Sequence, residues 1–289
     1  MNLNRVRVNS VSATAWAETG ATLGELYYAV GRSSQSSSLA FSGGSCSTIG
    51  LGGVISGGGF GLLSRKFGLA ADNVLDAVLI DPNGRILDRS SMGEDVFWAI
   101  RGGGGGSWGV VYAWKLRLVP VPNNVTVFIV DRTGPVEYIA RMVDTWQFVG
   151  PKLPDEFYLS VYFPTGSSDG NISISFEGQV LGTKQHTLSV LSQRFPMLGV
   201  TESDLSEISW VESIAKFANV DVVSDLPNRW LGAKSYSKSK SDYVKAPIPR
   251  HDMVEIVRHL SSGPPGSIIL DPYGGTMARI GSGETPFPH

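Results

Sequence analysis

A glycine-rich segment with a single cysteine is the part of the sequence best equipped for chemistry. It runs from Gly43 to Gly61, contains nine glycines, and carries Cys46, the only cysteine of the chain. Exposed backbone N–H groups in such a segment form a concavity that binds anions such as phosphates. The thiol is able to act as a nucleophile, a metal ligand or a covalent tether, and a buried structural cysteine fits the spacing as well.

A metal centre or a cysteine–histidine pair at this segment finds no support in the sequence. The four histidines lie far from Cys46 and lack the spacing of metal ligands. No local signature of a cysteine nucleophile surrounds the thiol. We therefore predict no metal site.

A second glycine cluster, between Gly102 and Gly109, contains a dinucleotide-binding pattern. Residues Gly104 to Gly109 fit G-x-G-x-x-G. The pattern follows a predicted helix and opens a predicted strand, whereas the dinucleotide motif follows a strand and opens a helix. A nicotinamide site is therefore disfavoured, and a glycine-rich turn beside another cofactor remains open.

The elements that must position these segments follow from periodicity and capping. Thr22 to Glu25 has the spacing of a capping box and predicts a helix start, as does Ser91 to Glu94, whose helix would run through Ile100. The other predicted helices cover residues 136–148, 183–195, 204–217 and 251–261. The predicted strands cover residues 11–18, 74–81, 85–88, 110–119, 125–131, 157–163, 172–181 and 268–271. Runs of strands followed by helices predict an α+β fold, with a boundary near Pro120–Asn124.

Composition excludes several classes of protein. The chain has 289 residues, of which 42% are hydrophobic and 17% charged, and its net charge is −2. No apolar run is long enough for a transmembrane helix, and no signal peptide opens the chain. The basic segment Lys234–Lys245 is interpreted as a solvated surface loop, and Asp72, Asp76 and Asp81 as structural carboxylates. We therefore predict neither a nucleic-acid nor a membrane partner.

Several stretches resemble one protein family in order along the whole chain. These are residues 21–28, 46–61, 65–74, 91–95, 97–105 and 271–275. The sequence resembles the plant berberine bridge enzyme-like FAD-linked oxidases, and among them most closely the grass-pollen group 4 allergens.

This resemblance implies a fold, a cofactor and a set of contacts. It implies a partial FAD-binding domain of the vanillyl-alcohol-oxidase type over residues 1–122, and over residues 123–289 a substrate domain with an antiparallel sheet covered by helices. Cys46 would form a thioether to flavin C6, while a histidine would make a second covalent link at the 8α methyl. The residues expected to hold FAD are Cys46, Thr48, Ile49, Gly50, Gly52, Gly53, Gly57, Gly58, Gly59, Asn73 and Val110.

The sequence also departs from the family pattern. The histidine-bearing loop would lie before Met1 and an active-site segment after His289, so we expect a chain truncated at both ends. Phe60 stands where many relatives have a tyrosine that acts as the base, and it has no titratable group. Ser47 and Val54 replace the family's frequent proline and histidine. Ile49 would lie over the flavin and hinder its reaction with O2.

The predicted function is an FAD-dependent oxidoreductase. It would transfer hydride from an alcohol-type small molecule, either an oligosaccharide or a phenolic alcohol, to a covalently bound flavin. The alternative is a catalytically incompetent homologue without flavin and with an allergen-like surface. Relatives imply a secreted glycoprotein, and Asn124 and Asn171 each open a glycosylation sequon. The substrate, the electron acceptor, the base and the oligomeric state stay open.

Overall fold

The computed structural model describes residues 2–33, 38–165, 171–230, 236, 238–262 and 266–288. Within them the strands are β1 (Val6–Asn9), β2 (Thr14–Glu18), β3 (Leu39–Ala40), β4 (Val74–Ile80), β5 (Ile86–Leu87), β6 (Val110–Arg117), β7 (Val119–Pro120), β8 (Val125–Gly134), β9 (Phe157–Pro164), β10 (Ile172–Val180), β11 (Ser206–Ile208) and β12 (Ser267–Leu270). The helices are α1 (Leu23–Ser33), α2 (Leu51–Ser56), α3 (Ser64–Phe67), α4 (Arg89–Met92), α5 (Glu94–Ile100), α6 (Val136–Val149), α7 (Lys184–Arg194), α8 (Trp210–Phe217) and α9 (Arg250–Ser262). None of the described helices is long and apolar enough to cross a membrane.

The strands form two five-stranded sheets. The first has the order β1-β2-β6-β4-β5 and the second the order β11-β8-β10-β9-β12, and β3 pairs with β7. Every strand pair with a described register is antiparallel. Mixed helices and antiparallel sheets confirm the predicted α+β class.

The chain divides into two compact units. The first comprises Met1–Val125, Ile208–Leu231 and Thr276–His289, and the second comprises Thr126–Glu207 and Gly232–Gly275. This division differs from the prediction, which assigned everything after residue 122 to one second domain. Hydrogen bonds account for the difference, because Arg229 donates to the Gly20 carbonyl and Trp98 to the Gly283 carbonyl. Whether the two units act as FAD-binding and substrate domains stays a prediction.

The second unit has a large core of its own. Its centre includes Phe128, Trp146, Phe176 and Phe195, each at most 5% exposed. Phe176 and Phe195 meet edge to face with ring centroids 5.5 Å apart. Phe128 on β8 and Phe176 on β10 lie on one face of the sheet, whereas Trp146 comes from α6 and Phe195 from the end of α7.

Local hydrogen bonds confirm some predicted helix starts and correct others. The capping box of α1 is confirmed, since Thr22 N donates to Glu25 Oε2 and Glu25 N to Thr22 Oγ1. The predicted box at Ser91–Glu94 is wrong. Asp88 and Ser91 form the box of α4 instead, and α5 starts after Gly93 without a side-chain cap.

Three other elements differ from prediction in their bounds. The strand predicted from Val11 begins only at Thr14, because Asn9 Oδ1 accepts hydrogen bonds from the amides of Val11 and Ser12 and turns the chain. The helix predicted over residues 204–217 begins at Trp210, where Ser209 caps it, and β11 precedes it. The glycine-rich segment, predicted to be a loop, contains α2. The basic segment Lys234–Lys245 lies partly outside the described residues.

Glu25 links the start of α1 to a distant segment of the first unit. Its carboxylate accepts hydrogen bonds from the Thr22 amide, from Asn4 Nδ2, and from the Arg229 guanidinium at 2.6 and 3.1 Å. Burial raises the pKa of Glu25, but the bonds from Arg229, Thr22 and Asn4 lower it by more, so its net pKa lies below the usual value.

We predict that Glu25→Gln lowers the free energy of unfolding by about 1–2 kcal/mol at pH 7, because Arg229 then loses its charged acceptor. Since the folded-state pKa is depressed, this contribution is present above the unfolded-state pKa of about 4.3 and is lost as pH falls through the folded-state value. Chemical denaturation at several pH values measures the effect.

Glu137→Gln is the matched control, since Glu137 also lies in a first helical turn, is exposed, and sits 3.8 Å from Arg258. It should change the free energy of unfolding by no more than about 0.5 kcal/mol. Equal effects of the two substitutions would contradict the role given to Glu25.

Candidate functional site around Cys46

The segment that carries Cys46 is held by backbone hydrogen bonds to the start of α1. In residues 43–53, here named the Cys46 loop, the carbonyls of Ser47 and Ile49 accept from the amides of Gly24 and Leu23 at 2.8 and 2.9 Å. In the other direction, Leu51 N donates to Ala21 O and Gly52 N to Thr19 O, at 2.8 and 3.1 Å. Four bonds over so few residues fix the path of the loop.

The Cys46 side chain itself is exposed. Its Sγ lies 4.0 Å from Thr48 Oγ1, and the neighbouring Ser47 is buried at 1% exposure. The interpretation of Cys46 as a buried structural residue is therefore wrong. In the described part of the chain, no three His, Cys, Asp or Glu side chains come close enough together to hold a metal ion.

Glycines beside Cys46 leave open backbone. Gly50 and Gly53 are exposed, and a Cβ at either position would meet no atom within 4 Å. Neither of their amides donates a hydrogen bond within the described residues. Thr48 and Ile49 are exposed next to them. A thiol beside unpaired amides and open glycine surface fits a planar ring with a polar edge, such as the isoalloxazine of FAD.

Other predicted cofactor residues have packing roles in this structure. Gly58 and Gly59 are buried with φ values of +96° and +83°, and a Cβ there would lie 2.4 Å from the Phe287 ring and 2.7 Å from Ala70. A Cβ on Gly52 would lie 2.5 Å from Thr19 Oγ1. Contact of Gly52, Gly58 and Gly59 with FAD stays a prediction. Because glycine has no side chain, only backbone atoms would make that contact.

The remaining predicted residues lie outside the Cys46 loop. Gly57 is exposed at the end of α2, and its amide donates to Gly53 O. Asn73 is buried and donates from Nδ2 to the carbonyls of Phe67 and Leu69, which fixes the turn before β4. Val110 is 65% exposed at the start of β6, and Phe60 is half-buried.

The second glycine cluster lies against the first. Gly104 N donates to Ser56 O at the end of α2, and Gly104 and Gly106 adopt positive φ values with open space beside them. The cluster connects α5 to β6, so the strand-to-helix context of a nicotinamide motif is absent between these two elements. No local sequence pattern indicates that the two clusters meet.

The last described residues complete this region. Phe287 packs on Gly58 and Gly102, and the Glu284 carbonyl accepts a hydrogen bond from Arg101 Nη2. Sequence reasoning missed this contact because the segment carries no periodic pattern, although its phenylalanine and prolines mark it as apolar.

A titratable cluster in the second unit was also missed. Tyr158, which is 8% exposed, donates from its hydroxyl to Asp271 Oδ1 at 2.6 Å. Burial raises the pKa of Asp271, although the bond from Tyr158 lowers it in part. Burial and the nearby charges of Asp271 and Asp131 also raise the pKa of Glu177. The hydrogen bond joins β9 to the segment that follows β12.

Comparison with known proteins places this geometry in a class. Residues 1–90 match a family described as an FAD binding domain. Berberine bridge enzyme-like D-2 of Nicotiana tabacum is 52% identical over all of this chain, which covers 52% of that protein. Reticuline oxidase of Eschscholzia californica is 50% identical over all of the chain, which covers 53% of that protein.

Comparison with solved structures finds the same group of proteins. The structure of berberine bridge enzyme from Eschscholzia californica has a TM-score of 0.95 at 49% identity, with all of this chain covering 57% of that one. Sequence and fold therefore match those of FAD-binding proteins of the vanillyl-alcohol-oxidase type. Along its whole length the chain is similar to berberine bridge enzyme-like proteins of plants, and it spans about half the length of the curated relatives it matches.

Grass-pollen allergens are among the similar structures, as the sequence resemblance predicted. Phl p 4, a grass pollen allergen, is 41% identical with a TM-score of 0.92, and this chain covers 57% of its length. The tobacco protein has a higher identity to this chain, 52%.

We predict that two glycines near Cys46 respond oppositely to alanine. A Cβ on Gly61 would lie 1.8 Å from Gly43 O, so Gly61→Ala should lower the free energy of unfolding by at least about 2 kcal/mol. Gly53→Ala places a methyl in open space within α2 and should raise it by up to about 1 kcal/mol. Denaturant unfolding measures the free energy of unfolding of both variants. A similar decrease in both would contradict the close packing of Gly61 and the open space beside Gly53.

Proposed function

We propose that this chain is part of an FAD-dependent oxidoreductase that moves hydride from an alcohol-type substrate to a flavin held covalently by Cys46. The observation that carries the proposal is the exposed thiol on a fixed loop, beside unpaired amides and open glycine surface. FAD supplies the hydride-accepting chemistry when bound, and the protein supplies orientation and electrostatics.

Cys46 would serve as the tether. Joining its sulfur to flavin C6 removes the thiol proton and a ring hydrogen, which is a two-electron oxidation. The electron acceptor that serves turnover, O2 or another oxidant, would take these electrons. A fixed loop favours this bond, because a thiol that is already positioned loses little freedom when it reacts. The resemblance also implies a second covalent link to flavin, through a histidine. We assign that link to no residue within 1–289.

The catalytic base must be a residue other than Phe60. When hydride leaves a carbinol carbon, the hydroxyl proton has to pass to a base, and a phenylalanine ring accepts none. The aromatic ring of Phe60 would instead offer an apolar surface to the substrate.

The substrate class rests on relatives. One relative is named reticuline oxidase, and Phl p 4 is described as having glucose dehydrogenase activity. For this chain we propose a small alcohol, either an oligosaccharide or a phenolic alcohol. We also propose a secreted glycoprotein, with which the exposed positions of Asn124 and Asn171 are compatible.

We predict that the purified protein is yellow and that the colour stays with the protein pellet after acid precipitation. In Cys46→Ala of this 289-residue chain any flavin should pass to the supernatant, because the sulfur that would hold it is gone. Visible absorbance of pellet and supernatant measures the partition.

Ser45→Ala is the control for this experiment, since it changes the neighbouring residue and keeps the thiol. It should behave like the unchanged protein. A colourless protein would favour the alternative, an incompetent homologue without flavin, and a yellow pellet from Cys46→Ala would reject the tether.

We predict that Ile49→Val speeds the reaction of reduced flavin with O2 at least several-fold. Ile49 is 43% exposed on the Cys46 loop, and its branched side chain would shield the flavin from oxygen. Stopped-flow reoxidation measures the rate. Ile49→Leu, which keeps the side-chain volume, is the control, and an unchanged rate in Ile49→Val would reject the shielding.

A further inference from the structure

A cavity of about 320 Å³ opens on the first sheet, and none of the roles above uses it. It is lined by Arg5, Arg7, Trp16, Ala17, Glu18, Val78, Tyr112 and Ala113. This volume lies at the lower end of the range for small-molecule sites, roughly 300–1,000 Å³. All eight residues belong to the first unit.

Strand register places an aromatic ring between two cations in this cavity region. Trp16 on β2 lies opposite Arg7 on β1 and opposite Lys115 on β6. Residues directly opposite in adjacent strands share a face of the sheet. Lys115 Nζ lies 5.9 Å from the centroid of the Trp16 ring, within the range of a cation–π contact.

A buried carboxylate forms one wall, and its bonding capacity is taken up by the protein. Glu18 is 7% exposed. Its Oε2 accepts from the Arg5 amide at 2.9 Å, and its Oε1 accepts from Arg5 Nε and the Tyr112 hydroxyl, both at 3.0 Å. These hydrogen bonds, led by that from the Arg5 backbone, lower the pKa of Glu18. The carboxylate therefore remains charged, and its oxygens already accept hydrogen bonds from the protein.

Arg7 carries the guanidinium of the cavity that has no carboxylate partner within the described residues, whereas Arg5 is paired with Glu18. It is exposed, and no hydrogen bond or ion pair from it is found within the described residues. Asp76, at the far end of the same row as Lys115, already accepts hydrogen bonds from the amides of Ala77 and Arg89. The available group is therefore a hydrogen-bond donor with positive charge.

We propose that this cavity binds an organic anion with a ring, whose carboxylate pairs with Arg7 and whose ring packs on Trp16. Arginine presents its donors in a planar fork that matches a carboxylate in two parallel hydrogen bonds. Val78 and Ala113, opposite each other in the β4–β6 pair, supply small apolar contacts beside the ring. Two sources share this chemistry, an aromatic acid and a sugar acid.

Isothermal titration of the protein as purified tests the proposal with paired probes. Benzoate and its neutral analogue benzamide represent the aromatic source, and glucuronate and glucose represent the sugar source. We expect one of the two acids to bind saturably and its neutral analogue to bind at least tenfold more weakly. Equal binding of acid and neutral analogue, or no binding of either acid, would overturn the proposal.

Variants assign the binding to this cavity. Arg7→Gln should lower the affinity for the acid about tenfold or more, since it removes a charged donor. Arg141→Gln, at an exposed arginine of the second unit, should leave that affinity unchanged. Trp16→Leu should reduce binding of the acid to the level of inorganic phosphate, which has no ring. An unchanged affinity in Arg7→Gln would overturn the site. None of these readouts requires flavin, so their failure is distinct from failure of the proposed oxidoreductase function.

Discussion

Four backbone hydrogen bonds between the Cys46 loop and residues 19–24 are the interaction on which the candidate site depends. They run in both directions, from Leu23 and Gly24 to the loop and from Leu51 and Gly52 back. The bonds hold the loop against residues 19–24, while the Cys46 side chain lies at the surface. A reactive group fixed in this way meets its partner without a large loss of conformational freedom.

Glycine makes this attachment sterically feasible. A Cβ on Gly24 would lie 1.9 Å from Leu226 O, and one on Gly61 would lie 1.8 Å from Gly43 O. The buried Tyr27 hydroxyl adds a hydrogen bond to Gly44 O at 2.7 Å. The glycine content of the segment therefore serves two ends, since some positions permit close backbone packing while Gly50 and Gly53 leave open surface for a ligand.

Local patterns predicted much of the fold, and long-range contacts explain what they missed. The α1 capping box and the strands of the second unit follow from spacing and alternation within short windows. The return of residues 208–231 and 276–288 to the first unit depends on partners almost 200 residues away, such as Trp98 with Gly283, which no local pattern records. Cys46 was identified as the candidate from its type and setting, but its exposure and the inward packing of Gly58 depend on tertiary contacts.

Peptide mapping by mass spectrometry tests the central claim most directly. Trypsin cleaves after Arg32 and Arg65, so one peptide, residues 33–65, carries Cys46. We predict that this peptide absorbs visible light and is heavier by the mass of a flavin nucleotide less two hydrogens, with fragmentation assigning the added mass to the cysteine. The same peptide recovered from yellow protein at its unmodified mass, with a free thiol, would contradict the account.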